Sequence, residues 1–292
     1  IAVIGITDYM SIENYKKAVA DDRLPKSVKM VIPNVEMRIA PIAKNSPINI
    51  HCLFNPCIVD DLESRFFSRL KFRYNDREWA ATRSDLITLG REYSEDYNLE
   101  EDVAYKKGIE QYVLSPSTLV EVFEADLQLR KNTIIVISNS DNDGVSGLKT
   151  HSEFLTGNGS QLDATRIQLY RLADMIFSSK QADRDYFLGK KVDNEETIIK
   201  KYGSLKPCIH GSDAHTNDKI FEPSQNKYCW IKADPTFNGL CQLLYEPEQR
   251  VRISQTKPEV KADYQVIDRV EIEDESFSKE EIVFSDKLTC II

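Results

Sequence analysis

Asp8, Glu36, His51, Asp213 and His215 carry oxygen and nitrogen donors and sit in or just after apolar runs of this chain. The densest of these places is Gly211-Ser212-Asp213-Ala214-His215, directly after Lys206-Pro207-Cys208-Ile209. It sets a carboxylate and an imidazole two residues apart. Alternate residues of an extended segment point the same way, so Asp213 and His215 can converge on one ion. Carboxylates with imidazoles suit Zn, Mn or Fe, and such an ion brings the pKa of a water to about 7, which makes a hydroxide nucleophile at neutral pH. Each residue has a bland role as well. An Asp at a strand end is commonly a helix N-cap, and a His in an apolar strand is commonly a satisfied core residue. Recurrence at the ends of several strands is what favours a shared site.

Those residues need strands to hold them. Strand runs are expected at Ala2–Thr7, Met30–Ile39, Ile48–Phe54, Thr133–Ser138, Asp174–Ser178 and Lys206–Ile209. They are mostly apolar rather than alternating, as for strands covered on both faces. Helices are expected at Ser11–Ala20, Val59–Lys71, Arg83–Gly90, Leu99–Gly108, Pro116–Leu129, Gln161–Leu172, Gln181–Leu188 and Asn194–Tyr202. Ser11 with Asn14, and Ser115-Pro116, read as helix starts; Gly90, Gly108, Gly189 and Gly203 read as stops. The alternation predicts a parallel α/β architecture, either an open sheet or a barrel. In a parallel barrel the C-terminal strand ends form one rim, where Asp8, Tyr9, Glu36, His51, Asn139, Asp213 and His215 would meet.

With 292 residues, 41% hydrophobic and 29% charged, the chain has the composition of a globular protein with a sizeable core. The net charge of −9 disfavours broad nucleic-acid binding but leaves room for a local basic groove. The six cysteines form no CxxC pair, which points to mostly buried thiols in a reducing, cytoplasmic setting rather than a disulfide framework. No run approaches the roughly 18 apolar residues of a membrane span. Because Ile1 lies inside an apolar run, further residues are expected before it.

Ile6-Thr7-Asp8-Tyr9 followed by Ser11-Ile12, then Val35-Glu36, Ile50-His51-Cys52-Leu53 and Gly211-Ser212-Asp213-Ala214-His215, resemble the motifs of the PHP (polymerase and histidinol phosphatase) superfamily. The likeness covers roughly Ile1 to Ile253 and is most specific at the last motif. It implies a distorted TIM-like (β/α)7 barrel of the α/β class, holding Zn, Mn or Fe and hydrolysing phosphoesters. Asp8, Glu36, His51, Asp213 and His215 would then be ligands to one or two ions. Asp8, His215 and His210 would be the catalytic candidates, with His210 or Tyr9 on the phosphate. The HxH pair of the first strand would lie upstream of Ile1. Tyr9 stands where the family has His, and near Asn139 a further ligand His is missing, though Asn139 or Asp141 could lend an oxygen.

Cys229 to Leu240 and Leu243-Leu244-Tyr245-Glu246-Pro247 are similar to PHP domains fused to AAA/ABC-type ATPases, the TrlF-like group. That likeness implies a linker over 254–281 and, at 282–292, the strand leading into an ATPase domain; an edge strand is the plain alternative. No phosphate-binding loop is present, so ATP belongs to the missing domain. Two functions stay open: a metal-dependent phosphoesterase or nuclease, with family roles in DNA processing or defence against phage, and a metal-depleted barrel that regulates the ATPase or binds nucleic acid. A homo-oligomer would follow from paired ATPase heads, and no membrane partner is expected. Arg65, Arg69, Lys71 and Arg73, interleaved with Phe66, Phe67, Phe72 and Tyr74, read as an amphipathic helix or as a nucleic-acid strip. His151 reads as a surface residue.

Overall fold

The computed structural model describes residues 1–21, 24–44, 46–148, 163–214, 216–258, 267, 269–274, 276 and 281–284. His151, His215 and Cys290 therefore lie outside the described residues, as does 285–292. The chain divides into two units, Ile1–Gln255 and Thr256–Ile292. Among the described residues of the second unit, a short antiparallel ladder joins Arg269–Glu271 to Glu281–Val283. Among the described residues no helix is long and apolar enough to cross a membrane.

The first unit is built on one curled, half-barrel sheet. Its strands are β1 (Val3–Tyr9), β2 (Met30–Ile42), β3 (Pro47–Phe54), β6 (Val113–Leu114), β7 (Thr133–Ser138), β8 (Met175–Phe177) and β9 (Cys208–Ile209). A separate hairpin, β4 (Lys71–Tyr74) and β5 (Arg77–Ala80), lies between β3 and β6 in the chain. The order is β1-β2-β3-β7-β8-β9, with β6 on β2. All six expected strands form, but the sheet is mixed rather than parallel. β3 runs antiparallel to both β2 and β7. Only four residues separate β2 from β3, too few for the crossover that a parallel neighbour requires, so the chain folds straight back. Glu36 and His51 sit inside their strands and not at strand ends.

The two faces of the sheet have different partners. Val35, Met37, Ile39, Ile48, Ile50, Cys52, Ile135, Ile137 and Ile176 point into the larger core. That core is roofed by helices α2 (Arg83–Tyr93), α3 (Glu101–Gln111) and α4 (Pro116–Ala125), with α5 (Leu127–Lys131) behind β7. The opposite face carries Met30, Ile32, Leu53, Ile134, Val136 and Met175, packed against Phe237, Leu240, Leu243 and Val251. Strands with apolar residues on both faces are what the unbroken apolar runs require.

Several helix boundaries differ from expectation. Gly90 and Gly108 lie inside α2 and α3 rather than ending them, because they let the two helices touch backbone to backbone. Gly189 (φ +70°) and Gly203 (φ +85°) do take left-handed C-terminal positions. The expected helix Val59–Lys71 is a 3-10 turn, Pro56–Asp61, followed by a single π turn, Glu63–Phe67. The basic run then leaves the helix at Lys71 and becomes the hairpin, turned by Asn75 (φ +49°) and Asp76 (φ +56°). Two positive-φ residues are what a two-residue hairpin turn needs, and Asn-Asp supplies them. Arg65 does not face outward as a free cation; it makes a two-point bond to Asp126, at 2.8 and 2.7 Å.

One buried charge makes a pH prediction. Lys206 is buried under the sheet, its Nζ donating to the Ala173 carbonyl at 2.7 Å. Burial pulls its pKa down to about 8, with Asp174 working against that shift and Arg130 adding to it. The unfolded chain, near the ordinary value of about 10.4, binds more protons between these limits, so stability should rise from pH 8 to about 10. The gain is about 3 kcal/mol at most. Urea titrations across that window should show wild type gaining on Lys206→Met; equal slopes for the two proteins would refute the assignment.

Candidate functional site

Strand register brings together one row of polar residues. Tyr9 on β1 pairs with Glu36 on β2, and Glu36 pairs with His51 on β3. Directly opposed residues share a face, and so do alternate residues on a strand. Thr7, Asn34, Arg38 and Asn49 therefore join Tyr9, Glu36 and His51 on the face that carries the smaller apolar cluster. This end of that face is polar where the other end is packed.

The hydrogen bonds follow the rows. Asn34 donates Nδ2 to Thr7 Oγ1 at 2.6 Å, and its Oδ1 lies 3.0 Å from His51 Nδ1. With the amide nitrogen already used, Oδ1 is the acceptor and Nδ1 carries the ring proton, so Nε2 keeps its lone pair. Burial pushes the His51 pKa down to about 3, the Arg38 charge adding to the fall while Asp143 opposes it. The ring is therefore neutral at any ordinary pH. A neutral, oriented imidazole held by an amide behind it is the form a metal ion takes. Phe177 meets the ring edge-on, with centroids 4.7 Å apart.

Arg38 is the cation of the row. Its Nη2 donates to Tyr9 Oη at 2.7 Å and lies 3.6 Å from Glu36 Oε1. Its Nη1 lies 3.5 Å from Asp143 Oδ2, and the guanidinium sits over the Tyr9 ring, 5.4 Å from the centroid. Burial first, and the Glu36 carboxylate second, push the Tyr9 hydroxyl up to about 12, so it remains protonated beside Glu36. Glu36 also accepts from Asn49 Nδ2 at 2.7 Å. Asp143 arrives from the turn after β7, where Ser140 Oγ donates to its Oδ1 and its own backbone N–H donates to Ser140 Oγ at 3.1 Å.

The other expected residues that the structure describes have these surroundings. Asp8 pairs in register with Val35 and so faces the opposite side of the sheet from Tyr9, Glu36 and His51. Both of its oxygens accept from Asn14, one from the backbone N–H at 2.7 Å and the other from the side chain, which fastens the start of helix α1 (Glu13–Ala20). Burial raises its pKa while those two bonds pull it down. Asn139 accepts from Tyr170 Oη at 2.6 Å, and Asp141 accepts from Ser146 at 2.9 Å with its other oxygen 3.7 Å from Lys180 Nζ. Asp213 is exposed and has a φ of +48°. The backbone turns there, so the extended geometry expected to aim Asp213 and His215 together does not continue through it. His210 follows β9; burial lowers its pKa most strongly, a bond to the Lys227 backbone opposes this, and its Nε2 is buried without a hydrogen-bond partner.

Among the described residues, no three of His, Cys, Asp and Glu are grouped as a metal cluster. The donors present fit an ion in chemistry, since Glu36 and the Nε2 of His51 share a row and Asn49 Oδ1 is a buried acceptor with no donor. Arg38, Asn34 and Asn49 went unnoticed in the sequence, and Asp143 was read only as part of the turn Asn142-Asp143-Gly144 that could frame the site. For the first three a signal existed: Asn34, Glu36 and Arg38 alternate along one strand, and so do Asn49 and His51, which marks a polar face in an otherwise apolar segment. Asp143 belongs to a turn, where no periodicity applies.

No family model matches the chain, and no curated protein matches it. Among solved structures, a crystal structure of a protein from Bifidobacterium adolescentis assigned as a metal-dependent phosphoesterase is similar to it. The two share 10% identity with a TM-score of 0.36, over 83% of this chain and 86% of that one.

Proposed function

We propose that this chain is a phosphoesterase-type module whose substrate phosphoryl group meets the Tyr9–Glu36–His51 row. The observation that carries the reading is the cross-strand pairing of Glu36 with a neutral, amide-oriented His51 on one polar face. Glu36 and His51 would supply the strand donors to a divalent Zn, Mn or Fe ion, with Asp213 and His215 supplying the donors of the loop after β9. Such an ion contributes Lewis acidity and a more acidic water. The chain's own residues contribute the rest. Asn34 holds the His51 tautomer, Tyr9 offers a protonated hydroxyl, and Arg38, swung out of the gap between Glu36 and Asp143, would supply a positive charge for phosphoryl oxygens. Phe177 and the apolar cluster beneath limit water on the far side of the ring.

The resemblance of Cys229 to Pro247 to ATPase-fused PHP domains supports placing this module beside an ATPase in a longer protein, with 254–281 as the linker and 282–292 as the approach to the ATPase. It also favours a nucleic-acid phosphoester and a role in DNA processing or phage defence. A second reading has its own observation: Arg38 already sits between Glu36 and Asp143, as expected of a barrel that binds and regulates without a metal.

Metal content separates the two readings. Protein purified without chelator is expected to hold about one Zn, Mn or Fe ion per chain, and Asp213→Asn to lower both that content and phosphodiester hydrolysis. Full retention of both by Asp213→Asn would remove Asp213 from the site. Protein that stays metal-free after incubation with Zn and Mn would leave only the regulatory reading.

A further inference from the structure

We infer that the Arg38 guanidinium and a divalent cation are alternative occupants of one position, the gap between the Glu36 and Asp143 carboxylates. Arg38 is the resident, and an ion enters only by displacing it. The inference rests on the phosphoesterase-type reading in one respect, that Glu36 is an ion ligand.

One guanidinium bridges two carboxylates that come from separate places, β2 and the turn after β7. At 3.6 and 3.5 Å these are ion-pair separations, longer than formed hydrogen bonds. The firm bond of the guanidinium goes to Tyr9 instead, at 2.7 Å. Its Nη1 is buried and has no hydrogen-bond partner, and Asn49 Oδ1, on the same face, is a buried acceptor with no donor. The charges are neutralised while the polar atoms are not saturated. Arginine reaches its strongest pairing with carboxylate through two parallel N–H···O bonds, and neither carboxylate receives that here.

Glu36 and Asp143 are the negative groups that a divalent ion would use, and the guanidinium stands between them. An ion at that place would face a full positive charge at contact distance in a partly buried setting, where like charges repel far more than in water. The two cations therefore exclude each other. Tyr9 has a matching role, because its hydroxyl fixes the guanidinium in the gap.

Calorimetric titration of Mn and Zn into the chelator-stripped full chain tests this. Arg38→Gln is expected to bind Mn at least about tenfold more tightly than wild type. Arg38→Lys, with a shorter and more hydrated cation, should fall between the two. Lys180→Gln is the charge control, since it removes a positive charge from the Asp141 side of the same turn, at 3.7 Å, without touching Glu36; its affinity should stay within about twofold of wild type. Adding Glu36→Gln to Arg38→Gln should abolish the gain. The inference is overturned if Arg38→Gln binds no better than wild type, if Lys180→Gln gains equally, or if the gain survives Glu36→Gln. Should Arg38→Gln fail to fold by circular dichroism, the order of Arg38→Lys above wild type decides the matter. Absence of hydrolysis by every loaded variant would sink the phosphoesterase reading and leave the binding order standing.

Discussion

Gly108→Ala is expected to destabilise the first unit by about 3 kcal/mol or more, although alanine is normally the better helix former. A Cβ built at Gly108 would stand 1.9 Å from the Leu86 carbonyl oxygen and 2.8 Å from its carbonyl carbon. Gly90 meets the same obstacle from the other helix, its Cβ falling 1.9 Å from the Ala104 carbonyl oxygen. These neighbours are backbone atoms, so relief requires α2 and α3 to part. Parting them opens contacts around Leu86, Leu89 and Ala104, all fully buried. In an exposed helix the same change would stabilise by about 1 kcal/mol, so the sign itself is diagnostic. Thermal melts should show a drop of roughly 6 to 12 °C for Gly108→Ala, and as much for Gly90→Ala. Gly211→Ala is the control, since nothing stands within 4 Å of its Cβ and its melt should not move. A Gly108→Ala protein as stable as wild type would mean that the two helices do not cross this closely.

His51→Ala should lower divalent-ion affinity and phosphodiester hydrolysis by at least about 100-fold, while Asn34→Ala should lower both by roughly 10- to 100-fold. The logic is graded. His51 offers the lone pair, and Asn34 only fixes which nitrogen carries it. Without the amide the ring can turn or change tautomer, and part of its population no longer presents Nε2 to an ion. Removing the ring removes the donor altogether. Circular dichroism should place both variants near wild type, because His51 packs mainly against Phe177 at the polar end of its face. A fully active His51→Ala would detach this row from the chemistry. An Asn34→Ala protein more impaired than His51→Ala would reverse the assigned order of support and ligand.

How much of this was legible before any coordinates can be traced through single residues. The six apolar runs became strands, and Ser115, with its Oγ accepting from the Thr118 N–H at 3.3 Å, began a helix as expected. Glu36 and His51 were legible as site candidates because a charged or imidazole side chain inside an apolar strand needs a reason. Asp8 was equally visible and was placed with them, yet in a strand its parity is opposite to that of Tyr9, and its carboxylate is taken up by Asn14. Gly90 and Gly108 were recognised as exceptional, but glycine serves both as a terminator and as a contact point, and local sequence does not separate the two uses.

By itself the amino-acid sequence determined the class of element at most positions, the presence of two apolar faces on the strands, and the standing of Glu36 and His51 as site candidates. These are local properties: periodicity, β-branching and capping act over a few residues and need no knowledge of distant ones. Only the tertiary structure decided that β3 runs against its neighbours, that Tyr9, Glu36 and His51 share a row, and that Arg38 lies between Glu36 and Asp143. Direction and register are set by which loops are too short to cross over and by which faces must be buried together. Those are constraints on segments far apart in the chain, and their energies exist only once the sheet has formed.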